Sequence, residues 1–477
     1  MQIISLIFFA FVATVFLGMY LCGKLVCNEG LRVKLNKWIL LIFSYLFVLY
    51  ADYRFAMVLA GLTIIVWLCA KNKKYIKFGI LAAVLALGFF KYTNFFMESF
   101  GRLLGRTDYT ALHLMLPLGI SFYTFSAIGY LVDVKRENLM CRPLLDVAVY
   151  LSFFPKITSG PIQKSKDFFL QLDSGPKVGW ETFSVGIQIF CFGLFKKIVL
   201  ADRLSVFVDQ VFDTPRIFSS ATVLLAVLAY ALQIYFDFSG YSDMAIGTAA
   251  VLGIRLPRNF NLPYLSHNVT EFWKRWHITL SSWLQEYVYF SLGGNRKGKI
   301  RTYWNLILTM VIGGIWHGPS WTYIVWGLLH GLALAVHKIW MKLTGSQSKQ
   351  HGLMSNVVSI LVTFGFTSFC WVFFRAESTE KAFQILKQIV CLQAGIWHPY
   401  VWLFAGVVVL GSCSVMALVK SKERILPEKR KNQSYINGYY LLLDLTKFWH
   451  LVLFFVFCGL ILGLAHTGGS PFIYGAY

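Results

Sequence analysis

The chain has 477 residues, of which 57% are hydrophobic, 17% aromatic and only 14% charged. A soluble chain carries about 25% charged residues, and one of this length divides into domains that each need a polar coat. That coat is missing, which excludes an ordinary cytosolic enzyme or a secreted domain and leaves a polytopic membrane protein. Lys and Arg number 44 against 22 Asp and Glu, a net charge of +22. In this setting the excess reads as basic loops beside anionic membrane lipid on the cytoplasmic side, with no nucleic-acid partner. None of the nine cysteines forms a CxxC pair, so they read as small packed hydrophobes, not as a disulfide or zinc framework.

Met1–Gly23 is apolar, with no Lys or Arg before it and no small-residue cleavage pattern after it. It reads as a retained first span. Lys24, Arg32, Lys34 and Lys37 follow it, which predicts an outside N-terminus. The stretch from Trp38 to Ala70 is too long for one crossing, at about 1.5 Å per residue against a core of about 30 Å. Ala51-Asp52-Tyr53-Arg54 divides it into a predicted hairpin, before the basic cluster at Lys71, Lys73, Lys74 and Lys77. Further candidate spans run over 78–92, 112–132, 144–158, 181–200, 221–237, 303–316, 321–340, 356–374, 399–419 and 446–464. About eleven crossings are expected.

Two segments resist this reading. Pro155 to Pro161 ends an apolar run with two prolines and Gly160, and Gln233–Arg275 mixes Asp, Asn, Arg and Pro with aromatics. Non-helical backbone at membrane depth persists only where protein buries it or where it lines a wet cavity. Irregular and re-entrant pieces around a central tunnel are therefore expected. No internal repeat is visible, which counts against an inverted-repeat transporter. The loops 343–356 and 420–437 are polar and basic.

Two of the ten histidines stand out. His317 sits in Gly313-Gly314-Ile315-Trp316-His317-Gly318-Pro319, between two apolar runs. A titratable group at a helix break inside a membrane is a functional candidate; a histidine merely hydrogen-bonded between helices is the plain alternative. His277 lies beside a stripe of Phe272, Trp273, Trp276, Leu280, Trp283, Leu284 and Tyr287. Their period near 3.6 predicts an amphipathic helix resting at the membrane interface. HxxxH, HExxH, GxSxG and P-loop patterns are all absent, which removes di-iron, zinc-protease, serine-hydrolase and ATP-driven chemistry. What remains is a histidine acting as general base on a hydroxyl or thiol supplied from elsewhere.

Arg258-Asn259-Phe260-Asn261-Leu262-Pro263-Tyr264, Glu271-Phe272-Trp273-Lys274-Arg275-Trp276-His277, Gly293-Gly294-Asn295-Arg296 and Gly314-Ile315-Trp316-His317-Gly318 follow in that order. This succession resembles the membrane-bound O-acyltransferases, and within them the bacterial alginate O-acetyltransferase branch, over about 117–331. Weaker echoes lie in Ser159-Gly160-Pro161-Ile162, Tyr235–Asp243 and Phe472-Ile473-Tyr474. The resemblance implies an all-α ring or horseshoe of tilted helices around a tunnel, with 1–110 as N-terminal helices, 111–340 as catalytic core and 341–477 as C-terminal helices. It also implies a multi-pass protein of the cytoplasmic membrane.

By the same resemblance His317 is the catalytic histidine and His277 a second functional one, positioning a thioester or stabilising developing charge as an oxyanion-type donor. Trp316, Trp276, Asn259, Arg275 and Gln233 are second-tier candidates for lining the site, whereas Asp237 and Asp243 are expected to be structural. No bound cofactor or metal is implied; acetyl-coenzyme A or another acyl thioester is the donor substrate. The acceptor is an extracytoplasmic polysaccharide, reached directly or through an SGNH-type acyltransferase or export partner. D-alanyl transfer to teichoic acid, and a transporter or flippase without bond chemistry, stand as alternatives. Gln285-Glu286, Pro319 and Gly475-Ala476-Tyr477 depart from the family pattern.

Overall fold

The computed structural model describes residues 4–105, 112, 114–136, 140–345, 353–398 and 442–466. The candidate span 399–419, the loop 420–437, much of the loop 343–356 and the C-terminal segments around Tyr474 and Tyr477 lie outside the described residues. Among the described residues the chain is all-α, and β contact is limited to one isolated bridge between Phe218 and Ile396. Eight helices there are long and apolar enough to cross a membrane, making this a multi-pass membrane protein.

The first four are α1 (Leu6–Leu25), α2 (Glu29–Ala51), α3 (Tyr53–Ala70) and α4 (Ile76–Leu103). The hairpin expected at Ala51–Arg54 is a break at a single residue. Asp52 adopts extended backbone, and its carboxylate accepts from the Arg54 N–H at 2.7 Å, starting α3. The preceding helix begins well before Trp38, because Asn28 caps Glu29 onward and draws the basic flank into α2.

After α5 (Ile120–Arg136), the run predicted as one span over 144–158 is two short pieces, α6 (Leu144–Ser152) and α7 (Phe154–Ile157). Pro155 and the fully buried Phe153 between them bend the chain into the protein. A surface helix α8 (Ser165–Asp173) follows. Next, α9 (Trp180–Leu194) passes through a π-helical turn over Phe195–Ala201 into α10 (Asp202–Asp213).

The greatest departure from expectation is α11, Ser220–Val251. Sequence reasoning assigns Gln233 onward to irregular structure, yet the helix continues through Asp237 and Asp243. Neighbouring elements bury and neutralise the polar groups. Lys197 lies 2.8 Å from Asp202 and 2.7 Å from Asp237, and Lys196 pairs with Asp243 at 2.5 Å. Paired carboxylates are tolerated at depth where lone ones are not, which lets the helix carry both aspartates. Glycines let α9 and α11 touch backbone to backbone: a Cβ on Gly193 would lie 2.5 Å from the Gly240 carbonyl oxygen, and one on Gly247 2.6 Å from that of Gly186. Such small-residue faces are how helices associate where lipid removes the hydrophobic drive.

The expected interfacial amphipathic helix is not continuous either. It is divided into α12 (Val269–Arg275), α13 (Ile278–Trp283) and a π-helical turn over Leu284–Tyr289. Trp273, Trp276 and Trp283 are buried within the protein, not set at its surface. The hairpin α14 (Lys299–His317) and α15 (Trp321–Thr344) follows, then α16 (Leu353–Arg375), α17 (Thr379–Val390) and the apolar helix Phe448–Leu464.

Close packing of α14 on α15 sets where His317 lies. A Cβ on Gly314 would overlap the Tyr323 carbonyl oxygen, and one on Gly327 would sit 2.5 Å from that of Met310. Gly314→Ala is expected to destabilise the folded chain by about 1–3 kcal/mol through overpacking, read as an earlier thermal transition in detergent. Gly18→Ala, whose added carbon meets nothing within 4 Å, serves as the control; equal transitions for the two would contradict the tight contact.

Candidate active site

His317 ends α14, and the chain turns through extended Gly318 and Pro319 to Ser320, whose Oγ accepts from the Thr322 N–H at 3.3 Å to start α15. A side chain at position 318 would overlap the Tyr323 ring, so glycine there is a packing requirement. The His317 ring is buried in an aromatic box. Its centroid is 5.0 Å from Trp316, 5.0 Å from Trp326 and 5.1 Å from Phe374.

His277 occupies the break between α12 and α13 in the left-handed region, φ 41° and ψ 54°. A non-glycine residue there is strained, and such strain persists only where surroundings over-determine it. Here Asn259 supplies the determination. Its main-chain oxygen accepts from the Ile278 N–H at 2.9 Å. Its side-chain Oδ1 accepts from the Thr279 hydroxyl at 2.9 Å and the Thr279 N–H at 3.3 Å, while Nδ2 faces Ser242 Oγ at 3.2 Å.

The same Oδ1 is 3.0 Å from His277 Nδ1. Because a backbone N–H can only donate, the atom it meets is the amide oxygen, and Nδ1 must carry the hydrogen. In the neutral ring Nε2 is then a lone pair, buried and with no hydrogen-bond donor among the described residues. The oxyanion-donor role expected of His277 is therefore open only to the protonated ring; the neutral form offers an acceptor.

Trp316 joins the two histidines. Its ring centroid lies 5.0 Å from His317 and 6.4 Å from His277. It stacks on Phe125 at 4.9 Å, which stacks in turn on Trp283 at 3.8 Å. The last carbonyls of α14 are gripped by α4: Lys91 Nζ donates to Trp316 O at 2.7 Å and to His317 O at 3.1 Å, and the Tyr92 hydroxyl donates to Ile315 O.

Not every sequence-derived candidate joins this centre. Trp276 packs on Trp371, Phe260 and Phe272, a layer that supports the break at His277. Arg275 is engaged by Glu271 at 2.7 Å and by the Asn261 carbonyl. Gln233 is buried on α11, its Oε1 without a hydrogen-bond partner among the described residues. Sequence reasoning missed Lys91, Trp326, Phe374 and the buried His330, whose Nδ1 accepts from Trp273 Nε1 at 3.3 Å. A lysine within an aromatic run, as in Phe89-Phe90-Lys91-Tyr92, was the available signal for the first.

A small cavity of about 10 Å³ adjoins the centre, walled by Phe122, Tyr123, Ser126, Lys156, Pro161 and Ile162. Phe122 stands edge-on to Trp316 at 5.4 Å, and the Ile162 N–H is held by the Thr279 hydroxyl at 3.1 Å. Among the described residues no cluster of three His, Cys, Asp or Glu groups is arranged to hold a metal. The arrangement suits proton transfer by imidazole in a water-poor, aromatic-walled site.

Residues 68–374 match the membrane-bound O-acyltransferase family. A peptidoglycan O-acetyltransferase of Helicobacter pylori is 41% identical over 350 residues, a stretch covering 68% of this chain and 66%, just under two thirds, of that protein. A probable alginate O-acetylase of Pseudomonas aeruginosa is 36% identical over 400 residues, covering 80% of this chain and 73% of its own. A teichoic acid D-alanyltransferase of Streptococcus thermophilus is 32% identical over 239 residues, 47% of this chain and 57% of its own.

The Asn259 network makes a prediction of its own. Asn259→Leu removes the acceptor for Nδ1 and is expected to lower acyl transfer by about a hundredfold or more. Asn259→Asp, which still accepts from Nδ1, is expected to keep most of it. Equal losses in ester formed per chain would contradict the tautomer assignment.

Proposed function

Because the chain belongs to the membrane-bound O-acyltransferase family, we propose that it moves an acyl group from a cytoplasmic thioester to a hydroxyl of an extracytoplasmic polysaccharide. Acetyl, from acetyl-coenzyme A, is the proposed group. The two acetylating relatives match more of this chain, at higher identity, than does the D-alanyl relative, which favours that choice. The observation that carries the reading is the pair of buried histidines bordering one tryptophan, Trp316, in an aromatic enclosure.

In this reading His317 takes the proton from the acceptor hydroxyl as its oxygen attacks the thioester carbonyl. The tetrahedral oxyanion collapses, the C–S bond breaks, and the departing thiolate recovers the proton from the imidazolium, leaving an ester and a thiol. Trp316, Trp326 and Phe374 keep water from the thioester, so that transfer outruns hydrolysis. His277 completes the pair, with Asn259 behind it.

The wider architecture belongs to the same proposal. About eleven crossings in the cytoplasmic membrane, with the N-terminus outside, form a ring or horseshoe. Its central tunnel gives the thioester access from one side and the hydroxyl from the other. The catalytic core falls within 111–340, flanked by N-terminal and C-terminal helices. An SGNH-type acyltransferase or an export component receives the group where the glycan is not acylated directly.

His317→Ala, at matched expression, is expected to cut ester content of the exported glycan by about 10²–10⁴-fold. Unchanged esters would overturn the mechanism. Labelled acetyl-coenzyme A separates the enzyme from a flippase: the first releases free coenzyme A, the second leaves the thioester intact.

A further inference from the structure

A helix that stops inside a membrane protein leaves its last carbonyls without intrahelical donors, and its C-terminus carries partial negative charge. In α14 three successive carbonyls of this kind, at Ile315, Trp316 and His317, meet two adjacent side chains of α4. Lys91 reaches two of them, at 2.7 Å and 3.1 Å, and Ser121 Oγ of α5 at 3.4 Å, which employs all three of its hydrogens. The Trp316 ring is tied to the same place, its Nε1–H facing the Ser121 carbonyl at 3.4 Å. His317 is the last residue of α14, so its placement depends on the carbonyl end of that helix staying fixed.

We propose that Lys91, seconded by Tyr92, is a positioning residue for His317: it anchors the C-terminus of α14 and so holds the imidazole in register with the attacking hydroxyl. The active site then extends into the N-terminal helices, beyond the stretch that carries the histidine motifs. The ammonium group acts through backbone carbonyls and exchanges no proton with substrate. The inference rests on the acyl-transfer reading above.

The test uses the full chain in lipid nanodiscs, with acetyl-coenzyme A as donor and an alginate oligosaccharide or peptidoglycan glycan fragment as acceptor probe. Lys91→Met is expected to lower kcat by about tenfold to a hundredfold, the penalty of a misplacement near 1 Å, while the affinity for coenzyme A changes less than about threefold. Lys91→Arg, which can still donate to both carbonyls, is expected to recover most of kcat. A cryo-EM map of Lys91→Met is expected to show the His317 ring displaced.

An unchanged kcat in Lys91→Met, an Arg variant no better than Met, or an undisplaced His317 ring would each overturn the assignment. Should Lys91→Met fail to accumulate, Tyr92→Phe, which frees only the Ile315 carbonyl, is expected to show a smaller loss of kcat at unaltered coenzyme A affinity; no loss there would count against the clamp. If the wild type released no coenzyme A with either probe, the acyl-transfer reading would fall instead, and the ring position in the map would still decide the role of Lys91.

Discussion

Within a bilayer, every backbone group that leaves a regular helix must find its partner inside the protein, because neither lipid nor bulk water supplies one. The two histidines, both buried in the protein, sit at breaks that face the same requirement. α14 ends at the buried His317, the chain breaks again at the buried His277, and each interruption exposes donors and acceptors that cost about 1–3 kcal/mol apiece if left unmet. The solutions are specific side chains: Lys91 and Tyr92 at the first break, and Asn259, which accepts from the Thr279 N–H, at the second. Each of these contacts fixes a histidine while satisfying backbone, so order at the site follows from the requirement of being dry.

Two further features make those breaks sustainable. Glycine contacts bring α14 against α15 and α9 against α11, giving rigid frames that side-chain packing alone would not define. Aromatic layers then fill the remaining space: Trp283, Phe125 and Trp316 stack on one side, while Trp326 and Phe374 close on His317 from another. Buried ion pairs on α11 are worth little net stability after desolvation, and their effect here is to let a polar helix lie at the centre of the protein.

The sequence made local punctuation legible and long-range compensation illegible. The His317 break could be read because Gly-Gly before it and Gly-Pro after it leave no other structure, and the Asp52 hairpin because one charged pair interrupts an apolar run. Residues 233–251 were misread for a physical reason: Asp237 and Asp243 look intolerable in a helix until Lys197 and Lys196, many residues earlier, are seen beside them. The aromatic stripe after Val269 has helical spacing, but periodicity carries no information about the left-handed turn that Asn259 imposes at His277. Lys91 had no readable charged partner, since it binds two backbone carbonyls and a serine hydroxyl.

The separation of Lys91 from Trp316, 225 residues along the chain, has a consequence for biogenesis. At a synthesis rate of about 5–20 residues per second, α4 is inserted roughly 10–45 s before the helix end it must grip has left the ribosome. During that interval the ammonium group has to be tolerated by the translocation machinery, by water or by lipid headgroups. Insertion of the early helices and maturation of the centre are thus separate events, and conditions that weaken the later docking would leave a fully inserted chain without a formed site.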